Sequence, residues 1–333
     1  MIRLIYLLYY IKKTPFTIFI KFLNFVNIQT AKSRYFIIWD CIKAVYKQNI
    51  SLLDYFYFKF YDKDEIEREK WAGTGFMYEY QLKMNPIESR SVLEDKRTFL
   101  DYYQDFLKHD HVSIDKLKAN HPAIKKVLNN PTGKIVFKDA LGQCGQGIKI
   151  DFASNWTQTS LITYMDGNGF NLLESFVQQD SALQKLSPTG LNTVRIITQL
   201  DSGNNVIILG CRLRISVNSK VDNMASGNLA GVIDSKTGVV ISNGFFSDIT
   251  KQSCPVHPMT DVSIIGFQIP YWNETLDFIH KVALKDTRNR SVGWDIAITN
   301  NGPDLIEGNH NWCKLLWQLP EQKGLKHSLE PYL

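Results

Sequence analysis

The sequence predicts an α+β fold behind a helical N-terminal region. Three observations carry that expectation. Apolar residues recur at helical spacing through the first third of the chain, whereas short β-type runs take over from Pro131 onward. Those runs are joined by hairpin-type turn signals, DSGNN at 201–205 and NNGP at 300–303, not by the long crossovers of a parallel sheet. Antiparallel strands with helices alongside make an α+β protein, not a doubly wound one. With 333 residues, 44% hydrophobic and 21% charged, the chain is long enough for about two domains and too apolar for disorder.

Residues 1–62 read as helical, interrupted near Pro15 and around Asn49–Ser51. The first 60 hold nine Lys/Arg against two acids, Asp40 and Asp54, and 16 of the 41 aromatics. That balance of +7 leaves −2 for the rest of a chain whose net charge is +5. No uncharged run there approaches the about 20 residues of a membrane-spanning helix. Lys12 and Lys13 stand where a signal cleavage site would follow the first apolar run. Basic, aromatic helical sequence suits peripheral contact with an anionic membrane, and equally a helical layer packed on the main domain.

Residues 63–90 open with a charged helix and become irregular at Gly73, Gly75 and Pro86. Ser91 with Glu94 reads as a capping box opening a helix that carries Phe99, Leu100, Tyr103 and Phe106. A second helical stretch spans about 113–128, broken by Pro122. Strands follow at 134–138, 148–152, 192–200, 206–216, 292–299 and 304–308, with a helix at 273–282. The five cysteines (Cys41, Cys144, Cys211, Cys254, Cys313) form no CxxC pair, so reduced thiols and a cytoplasmic location are expected.

Two constellations carry chemistry. KDALGQCGQG at 138–147 puts Lys138 at the entry of a loop containing Gly142, Gly145 and Gly147. Glycines let backbone N–H groups approach phosphates, and a lysine adds a point charge. No Lys-Ser/Thr follows, so it is no P-loop, and a strand follows the loop where a dinucleotide fingerprint needs a helix. A flap over a nucleotide and a structural hairpin both fit. Further on, Glu307 and Asn309 share one strand face, and a hairpin loop of four or five residues brings Asp295 roughly opposite Glu307. Three oxygen ligands suit Mg²⁺ shared with phosphate, and solvated acidic strand ends are the plain alternative.

Taken in order, these segments resemble the ATP-grasp superfamily, in particular its sugar-transfer-associated subgroup, which is related to glutamate-adding ligases. The resemblance rests on EDK at 94–96, the lysine strand and flap, ESFV at 174–177, ALQKLSPTGLNTVR at 182–195, VDNMASG at 221–227, HPMT at 257–260, GFQIPYW at 266–272 and VGWDIAITNNGPDLIEGNHNW at 292–312. It covers roughly residues 75–317. It implies two α+β lobes holding ATP between them: a helical region at 1–85, a lobe with the flap at 86–177, and a lobe with metal and substrate sites at 178–333.

The resemblance further implies that Lys96 and Lys138 neutralise ATP phosphates under Gly142, Gly145 and Gly147. Glu174 and the backbone of Ser175, Phe176 and Val177 would read the adenine, and Gln179 or Asp180 would hold the ribose. Arg195 with Arg212 or Arg214, and Asn223 beside them, would serve the acyl-phosphate, and Asp295, Glu307 and Asn309 would bind Mg²⁺. The pattern departs from its relatives at Asp180, where histidine is usual, and at Asn228, where glycine is. The implied activity is an ATP-dependent carboxylate–amine ligase of surface-polysaccharide synthesis, taking a small-molecule or lipid-linked sugar and an amine or amino acid. A kinase and a non-catalytic membrane-associated interaction protein are the rivals. His257 reads as a turn or substrate-side residue, Trp272, Trp294 and Trp312 as core or pocket wall, and no basic patch in the β region suggests nucleic acid.

Overall fold

Four helices build the N-terminal layer: α1 (Ile2–Lys13), α2 (Phe16–Thr30), α3 (Arg34–Gln48) and α4 (Leu52–Tyr57). This computed structural model describes residues 2–142 and 147–333, with side chains from Tyr6 onward outside that break. Pro15 precedes α2, and left-handed residues at Ala31 and Asn49 end α2 and α3. Ser51 opens α4 with a capping box closed by Asp54. The layer has its own core, in which Phe19, Phe22, Val26, Ile37, Tyr55 and Phe56 meet Trp71.

The chain continues through α5 (Glu65–Glu69), α6 (Thr74–Met84), α7 (Ile87–Arg90) and α8 (Lys96–Tyr102). The capping box expected at Ser91 and Glu94 does not form. Ser91 already has helical backbone angles (φ −55°, ψ −32°), whereas an N-cap is extended, and it heads only a single 3₁₀ turn. The cap is Asp95, extended and accepting a 2.8 Å bond from the Arg97 N–H, so Lys96 is the first residue of α8. Phe99, Leu100 and Tyr103 pack with Trp294, so this segment shares its core with the C-terminal lobe.

Two antiparallel sheets follow. The smaller lobe runs β1 (His111–Ser113), α9 (Ile114–Lys118), α10 (Ala123–Leu128), β2 (Lys134–Lys138), β3 (Lys149–Phe152), α11 (Gln158–Asn168) and β4 (Leu172–Ser175), in strand order β1-β4-β2-β3. The larger lobe runs α12 (Ser181–Leu186), β5 (Thr193–Leu200), β6 (Val206–Ile215), β7 (Leu229–Ile233), α13 (Trp272–Leu284), β8 (Ser291–Thr299), β9 (Gly302–Asn309) and α14 (Lys314–Gln318), in order β7-β6-β5-β8-β9. β5 and β8 are buried along their whole length because the sheet is covered on both faces. His109 bridges the lobes: its Nδ1 lies 2.9 Å from Asp304 of β9 and its Nε2 3.8 Å from Glu174 of β4.

Candidate active site

A cleft of about 1240 Å³ lies between the sheets, and its polar wall is built by strand register. Across the larger sheet Arg212 pairs with Arg195, Arg195 with Asp295, and Asp295 with Glu307. Directly opposed residues share a face, so two cations and two anions stand in one row. The β8–β9 turn is only Asn300–Asn301, tighter than the sequence suggests. A regular ladder from that turn would set Ile306 against Asp295. A bulge between Asp295 and Ile296 shifts the register by one and brings Glu307 there instead.

Asp295 is held by both arginines that reach it. Arg195 grips the two carboxylate oxygens through Nε and Nη2, and Arg214 Nη1 donates to Oδ2 at 2.6 Å. Burial alone would raise the Asp295 carboxyl, but these two guanidiniums hold it well below the usual carboxylate range. Arg214 also pairs with Asp222 at 2.7 Å, and Asp222 accepts the Thr193 N–H at 2.8 Å. Arg212 turns elsewhere: it is fully buried against the Trp317 carbonyl and lies 3.0 Å from Glu321. The choice the sequence left open thus falls to Arg214, which lines the cleft where Arg212 does not.

Glu307 and Asn309 complete the wall, with the Asn309 amide donating to Glu307 at 3.2 Å. Burial and the Asp295 charge push the Glu307 carboxyl up, against the pull of Lys96 and Arg195. Two adjacent carboxylates and an amide, all hard oxygen donors with one carboxylate left electrostatically unsatisfied, fit Mg²⁺. Among the described residues no three His, Cys, Asp or Glu gather elsewhere to compete for a metal.

Two lysines line the same cleft, Lys96 near Glu307 and Lys138 on β2 of the smaller sheet. Lys96 Nζ donates to the Gly142 carbonyl and Lys138 Nζ to Glu174, and both lysines line the cleft. Gly147 takes a left-handed φ of +70°, natural for glycine where the flap turns into β3. Gly145 and Cys144 lie outside the described residues.

The residues expected around adenine and ribose have partners within the protein. Glu174 is buried, and despite burial Lys138 and His109 hold its carboxyl low, so it acts as an ionised partner of Lys138. The Ser175 and Phe176 N–H groups donate to the Asp110 and Lys134 carbonyls, which leaves the Val177 backbone for an adenine edge. Gln179 lines the cleft, but its amide is already engaged: it donates to the Ser187 carbonyl and to Gln184, and accepts from the Asn192 N–H, tying down the loop before β5. Asp180 caps α12 through the Ala182 N–H and is absent from the cleft lining, where Gln178 and Gln179 stand. Asn223 lines the cleft while capping the turn at 224–226.

Sequence reasoning missed Asp222 and His109. Asp222 adjoins Asn223 in a segment already singled out, and a carboxylate buried beside Arg214 could have been sought there. Its carboxyl is pushed up by burial and by Asp295, against Arg214. His109 had no signal, since only the lobe packing joins it to Asp304 and Glu174. His257 holds a turn, accepting the Met259 N–H and pairing with the Ser216 carbonyl at 2.9 Å. Trp294 and Trp312 are core residues.

A family model described as sugar-transfer associated ATP-grasp matches residues 76–332. No curated protein matches the sequence. Among solved structures, D-alanyl-alanine synthetase A from Vibrio cholerae is similar at 11% identity and a TM-score of 0.40, covering 71% of this chain and 61% of that one. D-alanine–D-alanine ligase from Helicobacter pylori is similar at 13% identity and a TM-score of 0.40, covering 73% and 58%. N5-carboxyaminoimidazole synthetase from Staphylococcus aureus with ADP gives 10% identity and 0.40, covering 66% of this chain and 45% of that one. The chain thus spans less than half of that synthetase.

Proposed function

The chain belongs to the sugar-transfer-associated ATP-grasp family and has the α+β ATP-grasp fold behind a helical N-terminal region, and from that premise we propose that it is an ATP-dependent carboxylate–amine ligase acting on a sugar carboxylate. The observation that carries the reading is the row Arg195, Asp295 and Glu307, with Arg214 joined to Asp295, lining one cleft together with Lys96 and Lys138.

In this reading the Val177 backbone takes the adenine edge, and Lys138 and Lys96 meet the phosphates beneath the flap. Asp295, Glu307 and Asn309 would hold Mg²⁺, which when bound supplies positive charge to the phosphoryl oxygens. The sugar carboxylate attacks the γ-phosphorus, ADP leaves, and an acyl-phosphate forms. Arg195 and Arg214 neutralise the charge that develops on the acyl-phosphate and on the tetrahedral adduct. The amine nitrogen then bonds to the acyl carbon, inorganic phosphate departs with the C–O bond electrons, and the nitrogen loses a proton as the amide forms. Asp222 is a positioning residue: it keeps Arg214 aimed into the cleft while Asp295 turns to a cation. The sugar and polysaccharide context comes from the family description alone, and the amine partner from the ligase chemistry.

Incubation with ATP, Mg²⁺ and a panel of uronic acids, with hydroxylamine as surrogate amine, tests this. A hydroxamate formed together with ADP and phosphate is the expected result. A stable phosphorylated sugar would instead make the protein a kinase, and no ATP turnover across the panel with intact nucleotide binding would favour a non-catalytic role.

A further inference from the structure

The N-terminal layer divides its polarity in one direction. The only two acids of the first 60 residues both point inward. Asp40 is buried in a two-pronged pair with Arg68, at 2.9 and 2.6 Å, and accepts the Tyr55 hydroxyl. Asp54, 1% exposed, caps α4, accepts from Thr74 and pairs with Lys314. The segment's outer surface therefore carries its cations, Lys12, Lys13 and Arg34 among them, without a carboxylate of its own.

Helix α3 is apolar on opposite sides. Ile37, Cys41, Ala44 and Val45 are buried in the layer's core. Tyr35, Trp39 and Ile42, at positions i, i+4 and i+7, stand on the other side, 86%, 59% and 39% exposed. A helix apolar all round is normally covered all round, and this one is covered on one side. Exposed Leu8 and Ile11 of α1 and Phe16 and Ile28 of α2 add to the layer's outer apolar surface. Lys43 Nζ lies 5.6 Å over the Trp39 ring beside the stripe, its charge shared with Glu65 at 3.2 Å.

We propose that α1–α3 dock this face on an anionic phospholipid surface, lying in the headgroup region without crossing it. Charge selects the occupant. A second copy docked face to face would set Lys12, Lys13 and Arg34 against their own likes, whereas anionic headgroups neutralise them and receive the aromatic side chains. No helix among the described residues is long and apolar enough to span a bilayer. The docking rests on the layer alone. Its consequence for catalysis rests on the ligase reading: Ile18, Lys21 and Phe22 of α2 line the cleft, and Lys21 pairs with Asp248 at 2.6 Å, so the docked layer would hold the site next to lipid-linked sugars.

The test uses the full chain, without nucleotide, in co-sedimentation with vesicles of phosphatidylcholine alone and of phosphatidylcholine mixed with phosphatidylglycerol. Binding to the mixed vesicles only, weakening as salt rises to physiological strength, is expected. Changing Lys12, Lys13 and Arg34 together to glutamine should raise the lipid needed for half-binding at least about tenfold. Changing Tyr35, Trp39 and Ile42 together to serine should do the same while leaving ATP binding and the melting curve unchanged. Absence of binding at low salt, or unaltered binding by both variants, overturns the proposal. So does concentration-dependent self-association of the parent that the serine variant abolishes, because it makes the face a protein interface.

Discussion

Asp295 sits against Glu307 across the β8–β9 ladder while Arg195 and Arg214 both bind it, so one carboxylate of the pair is fully neutralised and the other is not. In the proposed reading a cation would relieve that asymmetry. Asp295 keeps its charge because two guanidiniums repay burial, and Glu307 carries the electrostatic cost of lying beside it. Each can be altered alone.

Glu307→Gln should therefore separate stability from function. The amide removes a buried like charge, so thermal stability should hold or rise. Turnover should fall at least about a hundredfold, roughly 3 kcal/mol of barrier, because one carboxylate of the proposed metal set is gone. Melting curves and ADP release at saturating Mg²⁺ read the two effects. Turnover near that of the parent removes Glu307 from the metal set.

The two arginines of β6 should behave oppositely. Arg214→Lys keeps a charge but cannot bridge Asp222 and Asp295 together, so kcat should drop about tenfold or more with the fold intact. Arg212→Met leaves the Trp317 carbonyl and Glu321 without their donor, and should cost on the order of 2–4 kcal/mol of stability with kcat little changed. Paired melts and kinetics check this. Equal kcat losses from both variants would contradict the division.

Which parts of this architecture the sequence exposed follows from the range of the forces involved. Hairpin turns, the period-2 face of Glu307 and Asn309, and the loop glycines are local, and each was readable where it stands. The bulge beside Asp295 was not, because the two-residue turn and the bulge compensate and leave the same residues opposed. Ser91 read as a cap by spacing alone, while Asp95 wins because its backbone is extended there and Ser91's is helical. Gln179 and Asp180 stood next to the expected ribose site, yet the buried loop at 187–192 and α12 take up their hydrogen bonds. His109 joins the lobes only through partners 65 and 195 residues away, a distance no local pattern records.

Lys138 connects the cleft to this lobe junction through Glu174. Lys138→Ala should raise the KM for ATP and lower kcat together, since its charge serves bound phosphate and transition state alike. It should also leave Glu174 buried beside only His109, and cost on the order of 2–3 kcal/mol of stability. The double variant with Glu174→Gln should recover much of the stability and none of the kcat. An unchanged ATP titration in the single variant would make the flap hairpin purely structural.

The last prediction concerns acid and the N-terminal layer. Burial works to raise the Asp40 carboxyl, but hydrogen bonds from Arg68 and Tyr55 and the Arg68 charge bring it below its ordinary value. A carboxylate with a folded-state pKa below the unfolded one stabilises the fold above the unfolded pKa of 3.8, and that stabilisation disappears as pH falls through the folded value. The layer should therefore loosen in acid below about pH 4, exposing Tyr55 and the aromatic core around it. Asp40→Asn should remove this acid-dependent step and, at neutral pH, destabilise the layer by about 3–5 kcal/mol, because Arg68 is left buried without its counter-charge. Limited proteolysis across pH 3–7 with mass detection of cuts before residue 72 separates loss of the layer from global unfolding. If parent and variant are cut with the same pH dependence, the Asp40–Arg68 pair does not control the layer.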